Sequence, residues 1–121
     1  MMYRNINESS ADYLIELLQD KTILTVNIFR ATLKESGEFK NVLDNIIKQG
    51  FKNIIIDFQK VDFVDSTFLA ALIVNLKKIN EINGRLILIN LKHPVSMMIE
   101  FTGLNKIFGI FQSREEALYN I

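Results

Sequence analysis

The sequence predicts an α/β fold in which a mixed β-sheet begins with a hairpin and continues in βαβ units, with about four helices. Three observations carry this reading. Two short apolar runs, Asn53–Phe58 and Arg85–Leu91, have continuous apolar residues, the pattern of strands in a sheet covered on both faces. Between them lies a longer segment with helical spacing, so strand, helix and strand form a unit whose two strands run parallel. Upstream, Tyr13–Leu18 and Ile23–Phe29 are β-prone runs flanking the polar break Gln19-Asp20-Lys21-Thr22, which reads as a hairpin.

Taken in order, residues 1–11 are polar and asparagine-rich and are expected to form a flexible extension, leaving 12–121 as a single domain. In the hairpin, the period of two places Leu24, Val26 and Ile28 on one face. Arg30 to Gly37 reads as a polar connection. Glu38 to Gln49 carries apolar residues at 39, 42, 43, 46 and 47, the spacing of an amphipathic helix, with Gly50 as its stop. A second helix is expected over about Thr67–Asn83, with Gly84 in the place of a left-handed cap. Pro94 suits a first helical position, and Gly103 ends that short helix. Asn105–Phe111 supplies a last strand, and Ser113 followed by Glu115 and Glu116 marks a terminal helix through Leu118.

Composition narrows the function classes. The chain has 121 residues, 49% hydrophobic and 23% charged, as in ordinary globular domains. Fourteen basic residues balance fourteen acidic ones without a basic block, so neither nucleic acid nor an anionic membrane is an expected partner. No cysteine is present, which removes disulfides, thiolate metal sites and cysteine nucleophiles. No apolar run approaches the roughly 18 to 20 residues of a membrane helix, and the N-terminal residues lack a signal-like apolar segment, so a cytoplasmic location is expected.

The candidate functional centre is Asp65-Ser66-Thr67, at the junction of the buried strand region and the apolar helix. A serine there can cap the helix by accepting a bond from an orphaned backbone N–H, worth about 1 kcal/mol. It can equally present a hydroxyl for modification, and the two roles are compatible. In the helix, Leu69, Leu72, Ile73, Leu76 and Ile79 make one stripe that should face the sheet. Phe68, Ala71 and Val74 fall away from its centre. Either the helix is broadly buried, or these three residues join Ser66 in an apolar patch for a partner or a second copy.

Other chemistry finds little support. Asp57 closes a buried strand, as the acceptor aspartate of a response-regulator receiver does, but no acidic pair follows the first strands. His93, the single histidine, stands beside a proline and reads as a loop residue. No metal site, cofactor, phosphate loop or catalytic set is expected, and hence no enzyme.

From about Tyr13 onward the sequence resembles a STAS domain, the fold of bacterial anti-sigma factor antagonists and of the cytoplasmic tails of sulfate transporters. The resemblance rests on Ile54-Ile55-Ile56-Asp57-Phe58 with Val61, on Phe63-Val64-Asp65-Ser66-Thr67, and on Gly84-Arg85-Leu86-Ile87-Leu88. It rests also on the ending Phe101-Thr102-Gly103-Leu104-Asn105-Lys106-Ile107-Phe108, followed by Glu115-Glu116-Ala117-Leu118. It implies a binding protein whose serine after the helix-start aspartate is phosphorylated by an anti-sigma factor with serine kinase activity and restored by a phosphatase. Here the acceptor would be Ser66, with Thr67 as a secondary one, and Asp65, Ser66, Thr67, Phe68, Ala71 and Val74 would meet the partner. A docking or homodimerisation module that is never phosphorylated is the alternative. The chain departs from the family pattern twice: Phe68-Leu69-Ala70 stands where Gly-Leu-Gly is frequent, and Ile28–Leu33 lacks a Gly-x-x-Asp motif.

Overall fold

The computed structural model describes residues 10–121, so the extension expected over 1–11 lies almost wholly outside the described residues. Strands β1 (Tyr13–Leu18) and β2 (Lys21–Val26) form the expected hairpin. Its turn is only Gln19-Asp20, with Gln19 in the left-handed region at φ 59°, so Lys21 and Thr22 already belong to the second strand. Strand β4 (Asn53–Asp57), helix α2 (Ser66–Glu81) and strand β6 (Arg85–Ile89) form the expected unit with parallel strands. A short strand β7 (Gly109–Phe111) completes a sheet of order β1-β2-β4-β6-β7, antiparallel at the hairpin and parallel elsewhere. Helices α3 (His93–Phe101) and α4 (Arg114–Asn120) end the chain, the latter capped by Ser113 as expected.

The connection read over Arg30–Gly37 is corrected. Arg30–Ala31 is a two-residue strand, β3, and helix α1 runs Leu33–Lys48, one and a half turns earlier than its apolar spacing suggested. A capping box sets that start: the Thr32 N–H donates to Glu35 Oε1 at 2.9 Å, and Thr32 Oγ1 accepts from the Lys34 N–H. Gly37 is therefore an interior helical residue, and the chain turns instead at Gly50, φ 96°. Gly84 is not the left-handed residue after α2; Asn83 is, at φ 59°. Gly84 is needed for close approach, since a Cβ there would fall 2.8 Å from the Lys52 Cβ and 3.0 Å from Ile79 Cγ2. The last strand is shorter than expected because Leu104–Lys106 folds as a 3₁₀ turn. His93 is the exposed first residue of α3 and not a loop residue.

The core follows from strand alternation. Tyr13, Leu24, Val26, Ile54, Ile56, Leu86 and Leu88 point to one face, where α1 and α2 bury Phe39, Leu43, Ile46, Leu69, Leu72 and Ile79, and α3 buries Val95 and Ile99. Ile23, Ile55, Ile87 and Ile89 point to the other face, against Ala117 of α4. At about 1.5–3 kcal/mol for each fully buried aliphatic side chain, both faces drive folding. This double coverage is why the central strands read as continuous apolar runs.

Candidate functional site

The site is built where two loops are sewn together. Strand β5 (Phe63–Val64) pairs in parallel with β3, placing Phe63 beside Arg30 and Val64 beside Ala31. The ladder is extended at both ends: the Asp62 N–H donates to the Phe29 carbonyl at 2.8 Å, and the Asp65 N–H to the Ala31 carbonyl at 3.2 Å. The Arg30 guanidinium lies 4.3 Å from the Phe63 ring centroid, a cation–π contact worth about 0.5–1 kcal/mol at an exposed site. This pairing brings the starts of α1 and α2 together.

Asp65 occupies the junction. Its backbone is extended, φ −107° and ψ 175°, so it stands just outside α2 as the N-cap. One carboxylate oxygen accepts from the Phe68 N–H at 2.9 Å, and the other from the Leu33 N–H, the first residue of α1, also at 2.9 Å. A single carboxylate thus satisfies orphan donors of two helices. The positive ends of both helix dipoles converge on it, each equivalent to roughly half an elementary charge.

The cap role considered for Ser66 is accordingly corrected: the cap is Asp65, and Ser66 is the first residue inside the helix. Released from capping, Ser66 is exposed, as is Thr67. Of the residues expected at a partner surface, Val74 is also exposed, but Phe68 and Ala71 are buried. The Phe68 ring stacks on Phe39 of α1 with centroids 4.3 Å apart, and such a pair is worth about 0.5–1.5 kcal/mol beyond its burial. The broadly buried helix is therefore the correct alternative for these two positions. Phe68 fills the seam between α1 and α2, a space a glycine there would leave to its neighbours.

Two exposed apolar residues on the strip that pairs with the triplet's own segment escaped the sequence reading: Leu33, bonded to Asp65, and Phe29, bonded to Asp62 at the other end of the ladder. Phe29 and Leu33 are 63% and 68% exposed, and both are tied to the site through their backbones. The signal that could have found Leu33 is Thr32-Leu33-Lys34-Glu35, a capping box that puts Leu33 in a solvent-facing first turn. Asp57, by contrast, is buried and structural: its carboxylate accepts from the Gln59 N–H at 2.9 Å and from the Asn90 side-chain amide at 3.1 Å. Among the described residues no group of three histidine, cysteine, aspartate or glutamate side chains is placed to hold a metal ion.

This geometry accompanies a family match over residues 15–117, to the STAS domain. The chain belongs to the STAS domain family. Among relatives of this STAS domain, a Bordetella bronchiseptica protein named as an anti-sigma factor antagonist, BtrV, is 28% identical over 71 residues. That alignment spans 59% of this chain and 61% of BtrV. A Thermotoga neapolitana protein, named as an anti-sigma factor antagonist homologous to TM1081, is 24% identical over 107 residues, covering 88% of this chain and 94% of its own. The crystal structure of TM1081 from Thermotoga maritima superposes with a TM-score of 0.85 at 22% identity, over 90% of this chain and 93% of that one. The antagonist SpoIIAA is similar in its unphosphorylated form, with a TM-score of 0.68 at 18% identity over 89% and 94% of the two chains. Its phosphorylated form gives 0.69 at 19%, over 89% and 97%. At these identities the solved structures show the shared fold. Among the described residues no helix of this STAS domain is long and apolar enough to cross a membrane.

Proposed function

We propose that this STAS domain is a cytoplasmic regulatory binding protein of the anti-sigma factor antagonist kind, whose association with an anti-sigma factor is switched by phosphorylation of Ser66. The partner carries the serine kinase activity, and a phosphatase reverses the modification. The observation that carries this reading is the division of labour at the helix start: Asp65 holds both helices, and Ser66 offers an exposed hydroxyl at the first helical position. Phosphate on Ser66 would add about −1.5 to −2 charges. The converging helix ends offset part of that charge and Asp65 opposes it, so the fold survives. A partner pressed against Ser66 and the exposed Leu33 at the same junction must instead desolvate a dianion, at a cost of several kcal/mol, and each 1.4 kcal/mol or so is tenfold in affinity. BtrV and the TM1081 relatives being named as antagonists, and SpoIIAA existing in two phosphorylation states, support the same reading.

The test compares Ser66→Ala and Ser66→Asp for binding to the cognate anti-sigma factor, with phosphate mapped by mass spectrometry after incubation with that factor and ATP. Phosphate on Ser66, or secondarily on Thr67, is expected, together with at least tenfold weaker binding of Ser66→Asp than of Ser66→Ala. Equal affinities, or phosphate only elsewhere, overturn the switch.

A further inference from the structure

The outer face of α3 leaves an apolar surface uncovered. Its exposed residues, His93, Pro94, Met97, Glu100 and Phe101, recur at one helical stripe. Met97 is 55% exposed and Phe101 90%. Beside them runs a groove of about 320 Å³ lined by Phe63, Val64, Pro94, Met97, Met98 and Phe101, every one apolar. A projecting aromatic ring and an apolar groove therefore lie on the same face.

The charges at the two ends of this helix are reversed with respect to its dipole. Lys92 is the N-cap residue and makes no side-chain cap bond, and the first turn has no acidic residue. Its one ion-pair partner among the described residues is Asp62, at 3.9 Å with both side chains about two-fifths exposed. Glu100, exposed, sits in the last turn, where no basic residue balances it. A cation at the positive end and an anion at the negative end are each unfavourable by a few tenths of a kcal/mol to about 1 kcal/mol.

We propose that this face binds a second copy of the chain through antiparallel packing of α3 on α3, about a two-fold axis at Met97. The stripe is self-complementary about that residue. His93 and Phe101 are equally distant from Met97 along the helix, as are Pro94 and Glu100, so each meets the other's counterpart across the axis. Phe101 of each copy then enters the partner copy's groove at its Pro94 end. Glu100 moves beside the basic, N-terminal end of the opposing helix, and Lys92 beside its C-terminal end, so both misplaced charges gain a dipole and an ion of opposite sign. The chain's zero net charge removes any overall repulsion between copies. Because one nine-residue helix and its groove form a contact at or below the size of standard interfaces, the association is weak and depends on concentration.

Sedimentation velocity of the full chain, from micromolar to near-millimolar concentration, tests this. A monomer that becomes a dimer over that range is expected. Met97→Glu, which sets two carboxylates against each other on the axis, should weaken dimerisation at least tenfold with an unchanged thermal melt, since the side chain is exposed. Lys92→Glu and Glu100→Lys should each weaken it, and the combined charge swap should restore it. A monomer at every concentration overturns the proposal. So does a dimer that tolerates Met97→Glu, or a combined variant no tighter than its single parents. None of these outcomes depends on Ser66, so the proposal stands or falls separately from the phosphorylation switch.

Discussion

At the scale of single residues, the site turns on which side chain of an Asp-Ser pair caps a helix. Aspartate and serine are about equally good caps, so composition could not choose between them. The backbone decides: residue 65 is extended and residue 66 is already helical. Two consequences separate the roles. Asp65→Ala should lower unfolding stability in urea by about 2 kcal/mol, because two helix starts each lose a cap worth about 1 kcal/mol. Ser66→Ala should stay within about 0.5 kcal/mol of wild type, as for other exposed positions. The candidate triplet was thus legible in the sequence, and its division of labour was not. Phe68 was ambiguous for a related reason: its place one position off the apolar stripe suits either solvent or a neighbouring helix. The answer lay with Phe39, a residue on another helix.

Among the elements, the best-read were those long enough to show a pattern. Strands β4 and β6 are unbroken apolar runs buried on both faces, while helix α2 and the hairpin carry enough residues for a period to emerge. Strands β3 and β5, two residues each, carry none, and they exist only because they pair with each other. Helix α1 was read short because its first turn buries no apolar residue and its identity rests on a cap. An electrostatic contact between elements gives a testable pH dependence. Asp44 of α1 accepts from Lys78 of α2 at 2.9 Å and pairs with Lys48 at 3.1 Å. The Lys78 bond first, and then that of Lys48, hold the Asp44 carboxyl below its usual value. Its folded pKa lies below the unfolded one near 3.9, so the contribution is fully present above that value and is lost as pH falls through the folded one. Asp44→Asn should therefore cost up to about 1 kcal/mol at pH 7 and progressively less below about pH 4, converging with wild type in strong acid. Denaturant unfolding across that range measures the convergence. High salt should shrink the difference at pH 7, because the lysine partners are substantially exposed.

For the molecule as a whole, the two faces of the sheet are unequally defended. Three helices cover one face, while the seven-residue α4 covers Ile23, Ile55, Ile87 and Ile89 on the other. Burying a charge under α4 should detach that helix before it unfolds the sheet. In Ala117→Asp, amide exchange over 114–120 should accelerate at least tenfold while β4 amides keep their protection; equal acceleration in both would show a single cooperative unit. The sewn loops behave in the opposite manner, since neither strip of chain holds its shape without the other. Asp65 and Leu33 are 32 positions apart yet share one hydrogen bond, and β3 has no ladder without β5. Residues 59–67 are consequently not a portable cassette. Transferred alone to another scaffold, they would bring the acceptor serine without the partner strip that fixes where it points, and sequence drift in either strip is constrained by the other.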